Sequence, residues 1–480
     1  MAGVGRAGTA AARALLAHGD GAVHAWDGLG RSTELTAAAT LAAEGVATAR
    51  GDGIALLDSG VPPRTLVKSP GLPYDTPLIA AALRRGLTVI DEAELGWLLD
   101  PRPLIAVTGT NGKSTTTALL ESILTAAGRT PISAGNTRFG LPLSTAHQQP
   151  GDVVVAELSS FQLEGCRALA PDAAVLTNLT HDHLYRHGSR AAYAAAKRRA
   201  FVSAGDAAVP VAAIGIDQPE GAALARALRE RGGTVVTFGT AAGADLRVLG
   251  AEPEADGRTR MTFAHRGTER ALRPRLSGLH NALNVAAALA LADGLGLDPE
   301  LAAAGAEATA PLPGRFERVT DAGAPFDVVV DFAHNPDGVA HALRAARALL
   351  AARGGAGRLH VVLSALSIVD ADQARAMGAA GRAASDHLVL TTQRWRLEDP
   401  GDALTPGLLE GARASAGGTL AAEPDRRAAI AVALGAAAPG DLVLVLERGE
   451  AAGPLFGGDD VPRVFDDRAE VRALLHALEG

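Results

Sequence analysis

LIAVTGTNGKSTTT, residues 104–117, is the stretch on which the reading of the whole chain turns. Leu104–Val107 reads as a short buried strand that runs into a tight turn and then a Thr-rich helix start. Gly109 and Gly112 let the backbone fold tightly enough for successive N–H groups to face one anion. Lys113 adds a mobile positive charge, and Ser114 or Thr115 can offer a hydroxyl to Mg²⁺. The helix that follows contributes the positive end of its dipole. The spacing departs from a standard Walker A, because Val107 stands where its first glycine belongs. Strand, Gly-x-x-Gly-Lys-Ser and helix nevertheless come together and in order, as in a nucleoside triphosphate loop.

Working outward, 480 residues exceed one ordinary core, and roughly three domains is the expectation. Hydrophobic residues at 48 % and charged residues at 20 % describe a soluble globular chain. A net charge of −8 argues against a nucleic-acid surface, so anions must be met by local glycine loops and a few placed cations. The single cysteine, Cys166, excludes a disulfide framework and any multi-cysteine metal site, and reads as a small buried thiol. With no signal peptide and no apolar run of about 18 residues, the expectation is a cytoplasmic protein, monomeric and without a membrane partner.

At the N-terminus, Gly3-Val4-Gly5-Arg6-Ala7-Gly8 fits a dinucleotide-type glycine turn before a helix with Leu15 and Leu16 on its inner face. A strand, Ala22–Trp26, ends at Asp27, about where a Rossmann unit places its ribose-binding acid. An ordinary strand–turn–helix gives the same pattern, and both readings stand. The turn begins so close to Met1 that the first strand has almost no length, which suggests a true start further upstream. Thr65–Lys68 is a strand ending in Ser69-Pro70-Gly71-Leu72-Pro73; Asp75 and Thr76 then open a helix, and Leu87–Ile90 is another strand. Residues 1–99 thus read as a small α/β domain, with Asp100-Pro101-Arg102-Pro103 as linker.

Past the loop, Ile132–Ala134 precedes Gly135-Asn136, and the buried-type strand Val153–Val155 runs to Glu157. A carboxylate at the carboxyl end of a parallel strand beside a phosphate loop is where Mg²⁺ needs a ligand; a helix N-terminal acid is the alternative. Strand Ala174–Thr177 leads to His181-Asp182-His183, which suits metal or phosphate chemistry or is incidental. Tyr193 and Lys197 lie four apart on one helix face, where Lys197 on spacing alone is an ordinary solvated lysine. Hairpins are expected around 245–273, then Gly278, His280 and Asn281 at the start of an Ala-rich helix, suited to an adenine or ribose contact. Pro311-Leu312-Pro313-Gly314 marks a second boundary. Beyond it, strand Val328–Val330 delivers Asp331 and His334 as plausible ribose or phosphate ligands. Strands and helices then alternate to Leu446, implying a parallel sheet covered on both faces.

VTGTNGKSTTT at 107–117, AELSSFQLE at 156–164, LTNLTHDHLYRHGS at 176–189, YAAAKRRAF at 193–201 and LSGLHNALNVAAA at 276–288 together resemble the Mur ligase family, ATP-dependent amide ligases of peptidoglycan synthesis. SPGLP at 69–73, ELSSFQLE and DHLYRHGS are most similar to the D-glutamate-adding branch, as is the compact opening GVGRAG. The C-terminal third departs from that branch. DFAHNPDG at 331–338 looks more like the MurE branch, cyanophycin synthetases or folylpolyglutamate synthetases. Residues 376–400 resemble the MurE segment whose arginine helps hold the incoming amino acid, and Glu447-Arg448-Gly449-Glu450 stands where that branch has Gly-Lys-Gly.

The resemblance implies an α/β protein of three domains. They are a Rossmann-like nucleotide-sugar domain at 1–99, a P-loop ATPase domain with a mostly parallel sheet at 100–312, and a Rossmann-like amino-acid-binding domain at 313–480. It implies ATP and Mg²⁺ as cofactors, and a UDP-sugar-linked carboxylate and an amino acid as substrates. Gly109, Thr110, Asn111, Gly112, Lys113, Ser114 and Thr115 would hold ATP, joined by Asn281, Arg315, Asp331 and His334, with Arg315 and Asp331 arriving on closure of the third domain. Ser114 and Glu157 would place one Mg²⁺; His183 and a carbamylated Lys197 would place a second, with Lys113, Glu157, His183 and Lys197 as the catalytic set. Gly5, Arg6, Asp27, Ser69, Gly71 and Asn136 would hold the UDP-sugar, and Arg394 and Arg396 the amino acid. The implied reaction adds D-glutamate to UDP-N-acetylmuramoyl-L-alanine through an acyl phosphate. A relative acting on another amino acid or a non-peptidoglycan carboxylate is the alternative; a P-loop kinase or a nucleotide-binding scaffold is a different class that stays open.

Overall fold

The computed structural model describes residues 1–480 except 20–22, 29–31, 50, 59–62, 138, 204, 255–257, 322, 367–368, 395–404, 406, 452, 457–461 and 480. It packs as two compact units, one of residues 1–179, 186–247 and 284–306, the other of 180–185, 248–283 and 307–480. Among the described residues no helix is long and apolar enough to cross a membrane.

The first unit opens with four short strands, His24–Trp26 (β1), Ala47–Ala49 (β2), Thr65–Lys68 (β3) and Thr88–Asp91 (β4). β1 pairs with β2 and β3 with β4, both in parallel, while Ala2 bridges Trp26 on one side and Lys68 on the other. The expected first strand is thus a single bridging residue, fixed by Ala2 N to Val67 O (2.8 Å) and Gly3 N to Trp26 O (2.7 Å). The helix Arg6–His18 buries Gly8, Ala11, Ala12 and Ala14, whereas Leu16, expected inside, is 36 % exposed. Close approach decides this: a Cβ at Gly8 would stand 1.8 Å from Gly3 O, so the contact face has to be small. The expected linker is pinned, with Asp100 buried and Arg102 donating to Asp100 and to the carbonyls of Ala146 and Gln149.

Six strands follow in one parallel array: Leu104–Thr108 (β5), Pro131–Gly135 (β6), Val153–Glu157 (β7), Ala173–Leu176 (β8), Val211–Gly215 (β9) and Thr234–Gly239 (β10). They lie in the order β6-β7-β5-β8-β9-β10. β5, β7 and β8 are buried along their whole length, which is why they read as unbroken apolar runs. The chain leaves β5 toward β6 and β7, then crosses to β8 on the other flank. The carboxyl ends of β5, β7 and β8 therefore form the topological switch point, where open α/β sheets bind ligands. Leu246–Pro253 (β11) starts alongside β10, and Thr259–His265 (β12) with Thr268–Leu272 (β13) forms an antiparallel hairpin, as read for that region.

In the second unit a further sheet has the order β14-β15-β19-β16-β17-β18. Its strands are Glu317–Arg318 (β14), Asp327–Asp331 (β15), Leu359–Leu363 (β16), His387–Leu390 (β17), Thr419–Ala422 (β18) and Leu442–Leu446 (β19). β14 joins antiparallel and the other pairs are parallel. Leu363, Leu388 and Leu444 pack on one face with Val339, Leu343 and Met377; Val330, Val362 and Val445 pack on the other with Ile430, Leu434 and Val471. Both faces are covered by helices, as the alternation of strands and helices implied. The hairpin Gly453–Phe456 (β20) with Pro462–Phe465 (β21) and the helix Asp467–Glu479 extend the element pattern past Leu446.

Candidate functional site

At the switch point the strand-to-helix turn closes on itself. Gly109 (φ 147°) and Gly112 (φ 83°) adopt backbone angles that favour glycine. Space excludes a side chain as well: a Cβ at Gly109 would stand 1.8 Å from Thr177 Oγ1, and one at Gly112 2.0 Å from Asn284 Oδ1. The end of β8 braces the turn, since Thr110 N donates to Asn178 O (3.0 Å) and Asn111 N to Asn178 Oδ1 (2.9 Å). Thr177 Oγ1 returns a bond to Asn111 O at 2.7 Å. Lys113 Nζ lies over the loop it belongs to, donating to Thr110 O (2.8 Å) and Gly109 O (3.2 Å). Thr177, Asn178 and Asn284 are structural partners that motif reading passed over; their signal was the TNLT after β8 and an asparagine three beyond Asn281.

Two further predicted residues reach this turn. Ser114 Oγ donates to Glu157 Oε2 at 2.7 Å, and Asn136 Nδ2 to Glu157 Oε1 at 3.4 Å, with Glu157 only 3 % exposed at the end of β7. Lys197, 2 % exposed, donates to Gly109 O at 2.6 Å, and its Nζ stands 4.7 Å from the Tyr193 ring centre. The Tyr193 hydroxyl meets Thr110 Oγ1 at 3.0 Å. Lys197 is therefore buried against the phosphate loop, not solvated. A hydroxyl beside a buried carboxylate is a hard oxygen pair of the kind Mg²⁺ accepts when a nucleotide supplies the remaining oxygens. No group of three or more His, Cys, Asp or Glu side chains suited to a metal occurs among the described residues. A site resting on one hydroxyl, one carboxylate and phosphate oxygens fits that donor set; a self-contained protein cage does not.

The residues read as sugar-nucleotide contacts gather at the carboxyl ends of β1 and β3. A Cβ at Gly3 would stand 2.9 Å from that of Ser69, so the glycine turn and the SPGLP loop touch. Arg6 donates to Thr137 O (2.9 Å) and Gly140 O, which brings it beside Asn136. Gly5 precedes helix Arg6–His18, Asp27 is buried after β1, and Gly71 is exposed on its loop. Behind Ser69, Lys68 is buried against Asp91 at 3.0 Å. Burial lifts the Asp91 carboxyl to about 7 against the pull of that ammonium. Arg186 holds Leu72 O (2.8 Å) and Glu164, tying the loop to the helix that starts at Ser160. Cys166 is a buried thiol that donates to Gln162 O, as expected.

The second unit holds the remaining predictions. His183 carries a left-handed φ of 54°, its N–H donating to Asp182 Oδ1 at 2.8 Å. Asp182 Oδ2 accepts from Asn335 Nδ2 at 3.4 Å, and His181 O accepts from Gln373. Asn281 donates to Ser277 O, while the half-buried ring of neighbouring His280, short of solvent and facing His341 and Arg344, has its imidazole held down to about 3. Asp331 accepts from Phe316 N (2.7 Å) and Ala333 N (2.9 Å), and burial raises its carboxyl. His334 meets Phe332 O at 2.8 Å, so Asp331 and His334 share the turn after β15; Arg315, ahead of β14, binds Glu450 and stacks on the Phe332 ring of that turn. Arg394 is buried; Arg396 lies outside the described residues.

With this geometry in hand, the Mur ligase middle domain matches residues 107–292, and the Mur ligase glutamate ligase domain matches 314–447. The chain belongs to the Mur ligase family, which uses ATP. It is 39 % identical over 378 residues to the UDP-N-acetylmuramoylalanine–D-glutamate ligase of Dinoroseobacter shibae, covering 72 % of this chain and 75 % of that protein. The ligase of the same name from Ruegeria pomeroyi is 38 % identical with the same coverage. Among solved structures, the UDP-N-acetylmuramate–alanine ligase of Thermotoga maritima superposes with TM-score 0.62 at 18 % identity, covering all of this chain and 98 % of that one. The ADP complex of Mycobacterium tuberculosis folylpolyglutamate synthase gives 0.58 at 21 % identity, covering 74 % and 89 %. Those two likenesses establish the Mur ligase fold.

Proposed function

We propose that this Mur ligase is an ADP-forming amide ligase that joins D-glutamate to UDP-N-acetylmuramoyl-L-alanine, in the cytoplasm, for peptidoglycan precursor synthesis. The observation that carries the reading is the identity, 38–39 % over about three quarters of each chain, to ligases named for that reaction. The packing of Ser114 on Glu157, and of Lys113 and Lys197 on the loop carbonyls, supports it. The domain limits carried with this reading are 1–99 for the sugar-nucleotide, 100–312 for ATP and 313–480 for the amino acid.

In this mechanism the Gly109–Thr115 amides and Lys113 hold the triphosphate, turning Lys113 from loop carbonyls to phosphate. The substrate carboxylate attacks the γ-phosphorus, the bond to ADP breaks, and an acyl phosphate results. The amine of the incoming amino acid, having lost its extra proton, attacks the acyl carbon, and inorganic phosphate leaves as the amide forms. Several anions must meet within a few ångströms, and two unit charges 4 Å apart repel by about 4 kcal/mol even at an effective dielectric near 20. Ser114 and Glu157 would hold Mg²⁺, whose positive charge would offset this repulsion. CO₂ would add to the neutral Lys197 amine, the ammonium having given up one proton before the N–C bond forms and a second after it; the resulting carbamate would occupy the same buried place and could be a ligand for a second ion.

A phosphate-release screen of amino acids against UDP-N-acetylmuramoyl-L-alanine tests the reading. Release should require both substrates and be fastest with D-glutamate. Faster turnover with another amino acid would reassign the second substrate, the alternative that the DFAHNPDG turn of the second unit supports. Release with a single acceptor would make the protein a kinase instead.

A further inference from the structure

Arg315 and Glu450 are 135 residues apart in sequence, yet Arg315 Nη2 donates to Glu450 Oε1 at 2.8 Å. The two side chains are unequal: that of Arg315 is 28 % exposed and that of Glu450 only 4 %. The guanidinium carbon lies 4.4 Å from the centre of the Phe332 ring, so one face of the fork is covered as well as one donor. Glu450 Oε2 is buried without a hydrogen-bond partner among the described residues. A carboxylate kept so far from water is costly unless a cation holds it, and Arg315 is that cation.

The loops that deliver the pair are interlocked. Gly314 (φ 64°) and Gly449 (φ 52°) are both left-handed. A Cβ at Gly314 would stand 2.0 Å from Glu450 N, and one at Gly449 2.6 Å from Gly314 O and from Phe332 Cβ. Neither segment can move without the other, and the guanidinium plane is set by backbone as well as by its acid. An arginine has five donors in a rigid fork; this acid takes one from a terminal nitrogen and Nε is buried, so the donors left to an anion are those of the terminal nitrogens.

We propose that Glu450 is the positioning residue of Arg315, fixing its guanidinium so that the terminal donors it leaves over are presented to an anionic group of the nucleotide. The inference rests on reading Arg315 as a nucleotide contact. Rotamer freedom that a lone arginine would lose on binding is already lost, and the orientation is the productive one.

Steady-state kinetics on Arg315→Ala, Glu450→Gln and the double variant test this, with UDP-N-acetylmuramoyl-L-alanine and D-glutamate saturating. Glu450→Gln should raise the KM for ATP about tenfold, the lower range for loss of an orienting partner, and leave the KM for D-glutamate within about twofold. The double variant should be no worse for ATP than Arg315→Ala alone, because the acid acts only through the arginine. Should Glu450→Gln not fold, Glu450→Asp, which withdraws the carboxylate by one methylene, should also raise the KM for ATP. Multiplying effects in the double variant, or an unchanged KM for ATP in Glu450→Gln where Arg315→Ala raises it, overturns the proposal. An unchanged KM for ATP in Arg315→Ala defeats the nucleotide reading of Arg315, and the role of Glu450 with it.

Discussion

The two units each gather charge at the carboxyl ends of parallel strands, and they do it in opposite ways. In the first, Lys113 and Lys197 rest on backbone carbonyls of one glycine turn, and Glu157 takes a serine hydroxyl from the helix that turn begins. In the second, Arg426 places Nε and Nη2 on the two oxygens of Asp467 at 2.8 and 2.7 Å, and Nη1 on Ser364 Oγ at 2.8 Å. Ser364 Oγ in turn donates to Glu447 Oε2 at 2.6 Å. Arg426 and Asp467 have no exposed side-chain surface at all. The first arrangement leaves its cations able to exchange a carbonyl for a ligand. The second ties its cation into the fold, so damage there should appear as instability before it appears as lost chemistry.

The sharpest way to break that contrast is Arg426→Leu. Removing one partner of a buried ion pair strands the other, and the expected cost is about 3–5 kcal/mol of stability, read as a lower denaturant midpoint. Asp467→Asn should move the same way by less, since its amide oxygen still accepts from the guanidinium. A variant of wild-type stability would mean that this cluster is as replaceable as a surface pair. Lys113→Ala should do the reverse: a loss of about 100-fold in turnover, equivalent to ~2.7 kcal/mol at the transition state, with the midpoint nearly unchanged. If Lys113→Ala unfolds the protein instead, the first arrangement is structural too and the comparison collapses.

The same contrast explains what could be read without coordinates. The phosphate turn was legible because its requirements are local: two glycines, a lysine and a hydroxyl within seven residues, followed by a helix. Glu157 was legible by its place at a strand end. Lys197 was not legible from spacing, since nothing in YAAAK distinguishes a solvated lysine from one lying under Gly109 O; only the family resemblance pointed to it. Most of the strands survive within a residue or two, because buried parallel strands are apolar runs. Leu16 failed because Gly8 and three alanines made a closer contact than a leucine face could. The Arg426–Asp467 and Arg315–Glu450 pairs were out of reach. They join residues 41 and 135 positions apart, and no periodicity marks which of 45 Lys and Arg residues meets which acid.

Glu447 offers the finest test of the comparison, because its carboxyl is charged or neutral according to pH. It is 1 % exposed at the end of β19, where it adopts a left-handed φ of 92°. Burial pushes its pKa from 4.5 up to about 7, against the pull of Arg426, the Ser364 hydroxyl and Arg448, and with some push from Asp467. Between about 4.5 and 7 the folded chain keeps a proton that the unfolded chain has released, so this group makes stability fall as pH rises through that window. Glu447→Gln stays neutral and can still accept from Ser364. Its stability relative to wild type should therefore climb from pH 4.5 to 7 and level off above. Asp91 in the first unit, also lifted to about 7, is untouched by the substitution, so part of the wild-type slope persists in the variant. Parallel stability curves for the two proteins across that window would show that Glu447 keeps an ordinary carboxylate pKa. The second unit's cluster would then be a fully ionised network, balanced by Arg426 and Arg448, and its cation would be held by the fold equally at low pH and at high.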